Sequence, residues 1–470
     1  LDYGFWSVIP PLAAIILALV FKNVFIALFI GIFIGFTVLS GGNIFLGIDR
    51  SLMSLVEVFQ STSNTIVIIV VSLIGGMTLL IERSGGIEGF VEYMTIKREI
   101  VKSKKGANLF TFILGVLIFT SGSLSTLVTG TVARPLSDAM KVPHEKLSYI
   151  VHSTSTPICV LIPLSGWGAF MIGLLQAAGV DNAPSVLVKS ILLNFYCILA
   201  VVGVLFFVLT EKDFGPMKRA EERAAKTGLL DEPKEGMETM PKTDVVDVSG
   251  KNTSALNLVI PLFSMIIMIV AGLFITGKGN LLGGDGMRAI LWGVSFGLLV
   301  STIMYTFQKI FNFKEILDIV FKGTGDMLSV SAILIFAFAM GDLVGELDTG
   351  KYLASLFSSF LKPTLLPTLV FLITCIISFA TGTSMGTMAV MMPLAMPMAF
   401  TMGTSIPLVA SAVFGGSIFG DHASPISDTT IMSCSTSGCD VMDHIRSQLP
   451  YTLVFAGISI ILYIVAGIII

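Results

Sequence analysis

Long runs of apolar residues, nearly free of charge, recur from one end of this chain to the other, and they exclude most folds. Residues 8–21 and 24–39 open the chain and residues 453–470 close it, with further runs at 65–81, 186–209, 258–275, 289–306 and 328–344. A helix of about 20 apolar residues crosses the hydrocarbon core of a bilayer. Only helices and closed barrels satisfy their backbone there, and unbroken apolar runs of this length read as helices. Charged residues make up 13% of the 470, where soluble domains carry about 25%. The chain is therefore expected to be an all-α polytopic membrane protein. Net charge is −3, and no basic stripe with interleaved aromatics points to nucleic acid.

One segment interrupts this pattern in the first half and divides the chain. Residues 211–254 are rich in Lys, Glu, Asp and Pro, which reads as a solvated linker with a short helix near 217–226. It separates a first unit, 1–210, from a second, 255–470. Short words recur across the divide in the same order. Val8-Ile9-Pro10 returns at Val259-Ile260-Pro261, Phe119–Ser123 resembles Phe379–Thr383, and Ser155-Thr156-Pro157 corresponds to Ala423-Ser424-Pro425. Gly76 and Gly85 match Gly341 and Gly350. The offset stays near about 260 positions, as a duplication requires.

Basic residues orient the units. Lys97, Arg98, Lys102, Lys104 and Lys105 are expected in the cytoplasm, as are Lys212, Lys218, Arg219 and Arg223 of the linker. The loop 40–63 then falls outside. For the chain to leave and return to one side, 107–140 must be a re-entrant hairpin, and 365–400 its counterpart from the other side. The two units are then inverted repeats, each with a hairpin and a broken transmembrane helix, an architecture common in secondary transporters. A continuous crossing at 107–140 would remove the inversion.

Four polar patches sit at matched places: TSGSLST at 120–126, HSTSTP at 152–157, ATGTSMGT at 380–387 and GDHASPISDTT at 420–430. Gly and Pro would break a helix in each. Broken helices inside a membrane survive where they line a cavity or are buried in protein. Their freed carbonyls suit a cation, their N-terminal ends suit an anion, and Ser, Thr and Asp oxygens suit Na+. Small hydroxyl residues also pack helices closely, so any single Ser has that reading open.

Asp421 and Asp428 are the strongest candidates, because a carboxylate at bilayer depth costs about 2.5–3.5 kcal/mol without a partner. Asp428, ahead of Thr429-Thr430, has helix capping as a second reading. His422 is a proton carrier or a structural residue. Asp342 reads as an outer-surface group beside Glu346 and Asp348, and Asp138 as a partner of Arg134 at helical spacing. The presumed spans are nearly free of Lys and Arg, with Lys189 near the start of 186–209 the exception, so no buried ammonium is expected. Cys159, Cys197, Cys375, Cys434 and Cys439 have no zinc-ligand spacing and read as free thiols. Leu1 opens without a basic stretch or cleavage site, so no signal peptide is expected, and the missing initiator Met reads as a trimmed start.

At Gly420-Asp421-His422, Ser424-Pro425 and Ser427–Thr430 the chain resembles the NhaC-type sodium/proton antiporter family, and TSGS, HSTSTP and TGTSMGT resemble its other polar breaks. The resemblance implies Na+ coupling without an organic cofactor, a homodimer in the plasma (inner) membrane, and a transport part that moves as an elevator. It leaves open antiport of Na+ against H+, or symport or exchange of an amino acid or of a carboxylate such as malate or lactate. In the first case Asp421 and Asp428, helped by Ser424, Thr429, Thr381, Thr383 and Ser384, hold Na+. In the second, Ser121, Ser123, Thr154, Ser155, Thr156 and His422 add a solute site. No catalytic motif of an enzyme is present. A channel or receptor is the remaining class, but two inverted, broken halves predict alternating access.

Overall fold

The computed structural model describes residues 3–21, 23–86, 89, 103–119, 121–163, 165–232, 254–280, 284–357 and 362–470. Among them there is no strand. In chain order the helices are α1 (Ile9–Phe21), α2 (Val24–Leu39), α3 (Ile44–Glu57), α4 (Thr62–Arg83), α5 (Lys104–Leu117), α6 (Gly122–Ala139), α7 (His144–Ser153), α8 (Thr156–Leu161), α9 (Gly166–Ala177), α10 (Ala183–Leu192), α11 (Phe195–Thr210) and α12 (Gly215–Thr227). After the linker come α13 (Leu256–Thr276), α14 (Gly286–Phe307), α15 (Phe313–Asp326), α16 (Leu328–Glu346), α17 (Thr349–Phe357), α18 (Leu366–Thr381), α19 (Ser384–Met402), α20 (Ile406–Ala423), α21 (Asp428–Ser437) and α22 (Val441–Ile469). Eight spans among the described residues are long and apolar enough to cross a membrane, or nine if the bent pair α7–α8 and α9 is one span. The chain is a multi-pass membrane protein.

Both long polar-interrupted stretches fold as helical pairs. A break at residues 118–121 separates α5 from α6, and Ser121 caps α6 by accepting the Leu124 N–H at 3.4 Å. Gly382, in the left-handed region at φ 68°, ends α18, and Thr383 caps α19 through the Gly386 N–H. Two expectations change. Residues 186–209 are two helices rather than one span, because Asn194 stops the first and caps α11 by accepting the Cys197 N–H at 3.3 Å. Residues 40–63 contain α3, whose first amides are capped by Asn43. The helix expected in the linker is α12. Lys97, Arg98, Lys102, Thr120 and residues 233–253 lie outside the described residues.

Packing around the fourth polar patch is set by small residues. α20 lies along α18, and a Cβ on Gly416 would stand 2.8 Å from both the Phe371 carbonyl oxygen and Thr374 Cβ. Gly420 meets Ser378 in the same way. Absent side chains let the two backbones approach, and the Ser378 hydroxyl then donates to the Ser417 carbonyl at 2.5 Å. Across the linker, α2 packs on α16 and α14 packs on α4.

Gly416→Ala should destabilise the protein by about 1–3 kcal/mol through overpacking, lowering its thermal midpoint in detergent. Gly457→Ala, where nothing lies within 4 Å, should not. Equal midpoints for the two variants would contradict the close α18–α20 approach.

Candidate functional site

The site is built where α20 stops. Pro425 has no N–H to continue the ladder and disfavours helix in Ser424 before it, so the chain leaves the helix and restarts at Asp428. Asp421 sits in the last turn of α20 and is 1% exposed. Its two carboxylate oxygens accept from different hydroxyls: Oδ1 from Ser427 Oγ at 2.5 Å, Oδ2 from Thr429 Oγ1 at 2.9 Å. Thr430 Oγ1 donates to the Ser424 carbonyl at 2.9 Å and reaches the Asp421 carbonyl at 3.3 Å, tying the break together. Among the described ion pairs none involves Asp421. An acidic group in this position needs a proton or a cation to offset its desolvation.

The break in α7–α8 faces this one. His152 lies in the last turn of the first helix, Ser155 Oγ donates to its carbonyl at 2.7 Å, and Pro157 lies in the first turn of α8. His152 Nε2 lies 3.2 Å from Thr429 Oγ1, and its Nδ1 lies 3.1 Å from His444 Nε2 and 3.1 Å from Gln448 Nε2. His422 stands edge-on to His152, with ring centroids 4.6 Å apart. Its Nε2 meets Ser153 Oγ at 3.0 Å and its Nδ1 meets the Tyr196 hydroxyl at 2.9 Å. All three histidines are buried.

The expected site residues divide into groups. Asp421 and Thr429 meet around one carboxylate, and Thr156 is buried at the start of α8. Ser424 and Thr154 are buried but serve the backbone, accepting from Ile426 N and donating to the Ile150 carbonyl. Asp428 is exposed as the first residue of α21, after the N-cap Ser427, and its Oδ1 accepts the Thr429 N–H at 3.1 Å. Thr381, Thr383 and Ser384 are at the α18–α19 break, where Thr381 Oγ1 pairs with Thr387 Oγ1 at 3.2 Å. That break touches the other through Gly382, which packs on Ile426. Ser121 and Ser123 flank the start of α6, with Ser123 exposed, and Gly122 faces Thr156. Thr436 Oγ1 donates to the Thr126 carbonyl at 3.2 Å, fastening α6 to α21.

Several partners escaped the sequence reading. His444, Gln448 and Tyr196 lie outside the four patches, and nothing in their local sequence marks them. Lys146 corrects the expectation of no buried ammonium: it is 1% exposed and donates to Asp213 at 2.7 Å, and the Tyr451 hydroxyl donates to the same carboxylate at 2.9 Å. Beside it, Arg223 pairs with Glu145 at 2.9 Å, Lys104 pairs with Glu221, and His144 lies between Asp138 and Asp231 at 3.0 and 2.8 Å. These pairs fasten α12 and the start of the linker to the foot of α7. Asp138 also lies 4.0 Å from Arg134, the expected pair, and Asp342 is exposed on α16.

Comparison with known proteins places this geometry among transporters. A model of the Na+/H+ antiporter family matches residues 4–183 and 169–468. An uncharacterized protein of Haemophilus influenzae is 32% identical over 501 residues, covering 98% of this chain and 91% of that one. The arginine/ornithine antiporter ArcD of Halobacterium salinarum is 27% identical over 213 residues, 44% of this chain and 42% of that one. Among solved structures, the Alcanivorax borkumensis YdaH transporter superposes with a TM-score of 0.57 at 17% identity, covering 89% of this chain and 88% of that one. At that identity the likeness concerns the fold alone.

Lys146→Met should cost about 3–5 kcal/mol by leaving Asp213 charged and buried, and adding Asp213→Asn should recover much of it. Thermal unfolding of the single and double variants measures this. A double variant less stable than the single one would contradict a compensated pair.

Proposed function

We propose that this chain, which belongs to the Na+/H+ antiporter family, exchanges Na+ for H+ at the buried carboxylate of Asp421. The carrying observation is that carboxylate itself, 1% exposed, held by two hydroxyl donors and joined to no cationic side chain among the described residues. Ionised, it attracts Na+. Protonated, it is neutral and can stay in the apolar interior. One carboxyl group that holds either cation but not both is sufficient for antiport, because each side of the membrane offers it a different competition. Asp428, exposed and near enough to interact electrostatically with Asp421, draws cations toward the break.

The architecture that would turn competition into transport is two inverted repeats, 1–210 and 255–470, joined by the linker 211–254. The reciprocal packing of α2 on α16 and α14 on α4 supports that reading, as do the two helical pairs α5–α6 and α18–α19, each facing a broken helix. In this arrangement the hairpins and broken helices form the moving, elevator-like part, within a homodimer of the plasma membrane. One observation favours a second reading, exchange of a small organic solute: the Halobacterium relative is an arginine/ornithine antiporter.

In proteoliposomes a Na+ gradient should drive H+ movement in the wild type, and Asp421→Asn should abolish it. Asp428→Asn should retain most of the activity. Full antiport by Asp421→Asn would overturn the assignment, and Na+ uptake that depends on an added amino acid or carboxylate would favour the second reading.

A further inference from the structure

We propose that His444 and His152 form a proton relay that ends on Asp421, a path for H+ that Na+ cannot follow. The inference rests on the reading of Asp421 as the exchanging carboxylate and adds the route by which its proton arrives.

Donor counting fixes the direction of every bond in the chain. A carboxylate only accepts, so Ser427 and Thr429 spend their single protons on Asp421 Oδ1 and Oδ2. Thr429 Oγ1 has then no proton left for His152, and the 3.2 Å contact must be a donation from His152 Nε2. A neutral His152 consequently has a bare Nδ1, whose single lone pair is faced at 3.1 Å by both Gln448 Nε2 and His444 Nε2, and the Nε2–H tautomer of His444 avoids setting two bare nitrogens against each other. Gln448 cannot reverse this: its Nε2 lies 2.5 Å from the His422 carbonyl, an acceptor, so an N–H must point there and its companion points at His152 Nδ1. His444 Nδ1 is left bare, and it is a buried atom with no hydrogen-bonding partner. Every donor in the series thus points at Asp421.

Such a series moves charge without moving an ion. A proton delivered by solvent of the adjacent cleft to His444 Nδ1 displaces the one on Nε2 to His152 Nδ1. The Nε2 proton of His152 passes to Thr429 Oγ1, and the hydroxyl proton passes to Asp421 Oδ2. Four protons each shift by one bond, none is created, and the carboxylate becomes a neutral acid. Passage in the opposite sense restores the starting tautomers.

The entry point is suitably placed. His444 lies in the first turn of α22, next to a cleft of about 570 Å³ lined by Glu145, Arg223, Asp443, Arg446 and Ser447. Ser447 Oγ donates to the His444 carbonyl at 2.9 Å, so the cleft wall and the relay share one helical turn. Groups facing the two rings are few. His152 meets His422 and His444, and the charged groups at the cleft are the Arg223–Glu145 pair, Asp443 with Arg446 at 4.0 Å, Arg219 and Glu232. His422 offers no second route, because Ser153 and Tyr196 occupy its ring nitrogens and neither reaches Asp421.

The test separates two fluxes in proteoliposomes. Exchange of radioactive Na+ for unlabelled Na+ needs no net proton transfer, whereas Na+-driven H+ movement does. Gln at either histidine keeps an N–H donor but cannot relay a proton. His444→Gln and His152→Gln should therefore lower Na+-driven H+ movement by at least about tenfold, while Na+/Na+ exchange stays within about twofold of the wild type. Unchanged H+ movement in both variants would overturn the relay. So would an equal fall in both fluxes, which is what a purely structural role gives. Failure of the underlying reading has a different signature: Asp421→Asn would keep both fluxes, or the wild type would exchange Na+ and move no H+.

Discussion

A carboxylate with no cationic partner, enclosed in an apolar protein interior, is the constraint on which the rest of this structure depends. Asp421 carries two hydroxyl donors and, among the described residues, no ion pair. Two hydrogen bonds to a charged group contribute about 3–6 kcal/mol together, which at most offsets the several kcal/mol per ion of effective desolvation. A proton or a metal cation supplies the net stabilisation that they do not. That unmet demand is what gives the site its function, since a paired carboxylate would have no use for either. Lys146 and Asp213 provide the contrast within the same molecule: equally buried, they satisfy each other and Tyr451, and they hold α12 in place.

The backbone around Asp421 is arranged to keep that demand. Pro425 ends the helix, Thr430 ties the released carbonyl of Ser424, and Gly416 and Gly420 bring α18 close enough to exclude other groups. The break in α7–α8 repeats the device, with Pro157 and Ser155, and brings His152 to the far side of Thr429. Each α-helical pair then lays its own break against one of these: Gly122 on Thr156, Gly382 on Ile426. Four interruptions converge because none of them can be exposed to lipid.

Much of this was legible in sequence because apolar runs and their interruptions are local signals. The helical pairs, the breaks at 154–155 and 424–427 and the buried Asp421 all follow from Gly, Pro and polar residues inside apolar stretches. The remainder depends on contacts between distant positions. His444 and Gln448 sit in DHIRSQLP, which reads as a polar helix start, and only the fold brings them 292 and 296 positions back to His152. Lys146 reads as solvated because its neighbours are polar, yet its partner Asp213 lies 67 positions away. Asp428 shares a motif with Asp421, and its place as the first residue of α21, where its carboxylate takes the Thr429 amide, sets it apart. Asn194 divides an apolar run that composition alone reads as continuous.

The account turns on Na+ and H+ sharing one carboxyl group, and proton release on Na+ binding measures that sharing directly. Purified protein in weakly buffered detergent solution, held where Asp421 is protonated, is given Na+ while a pH indicator is followed. The account predicts about one proton released for each Na+ bound at that site, and none from Asp421→Asn. Saturable Na+ binding by the wild type without proton release would contradict it.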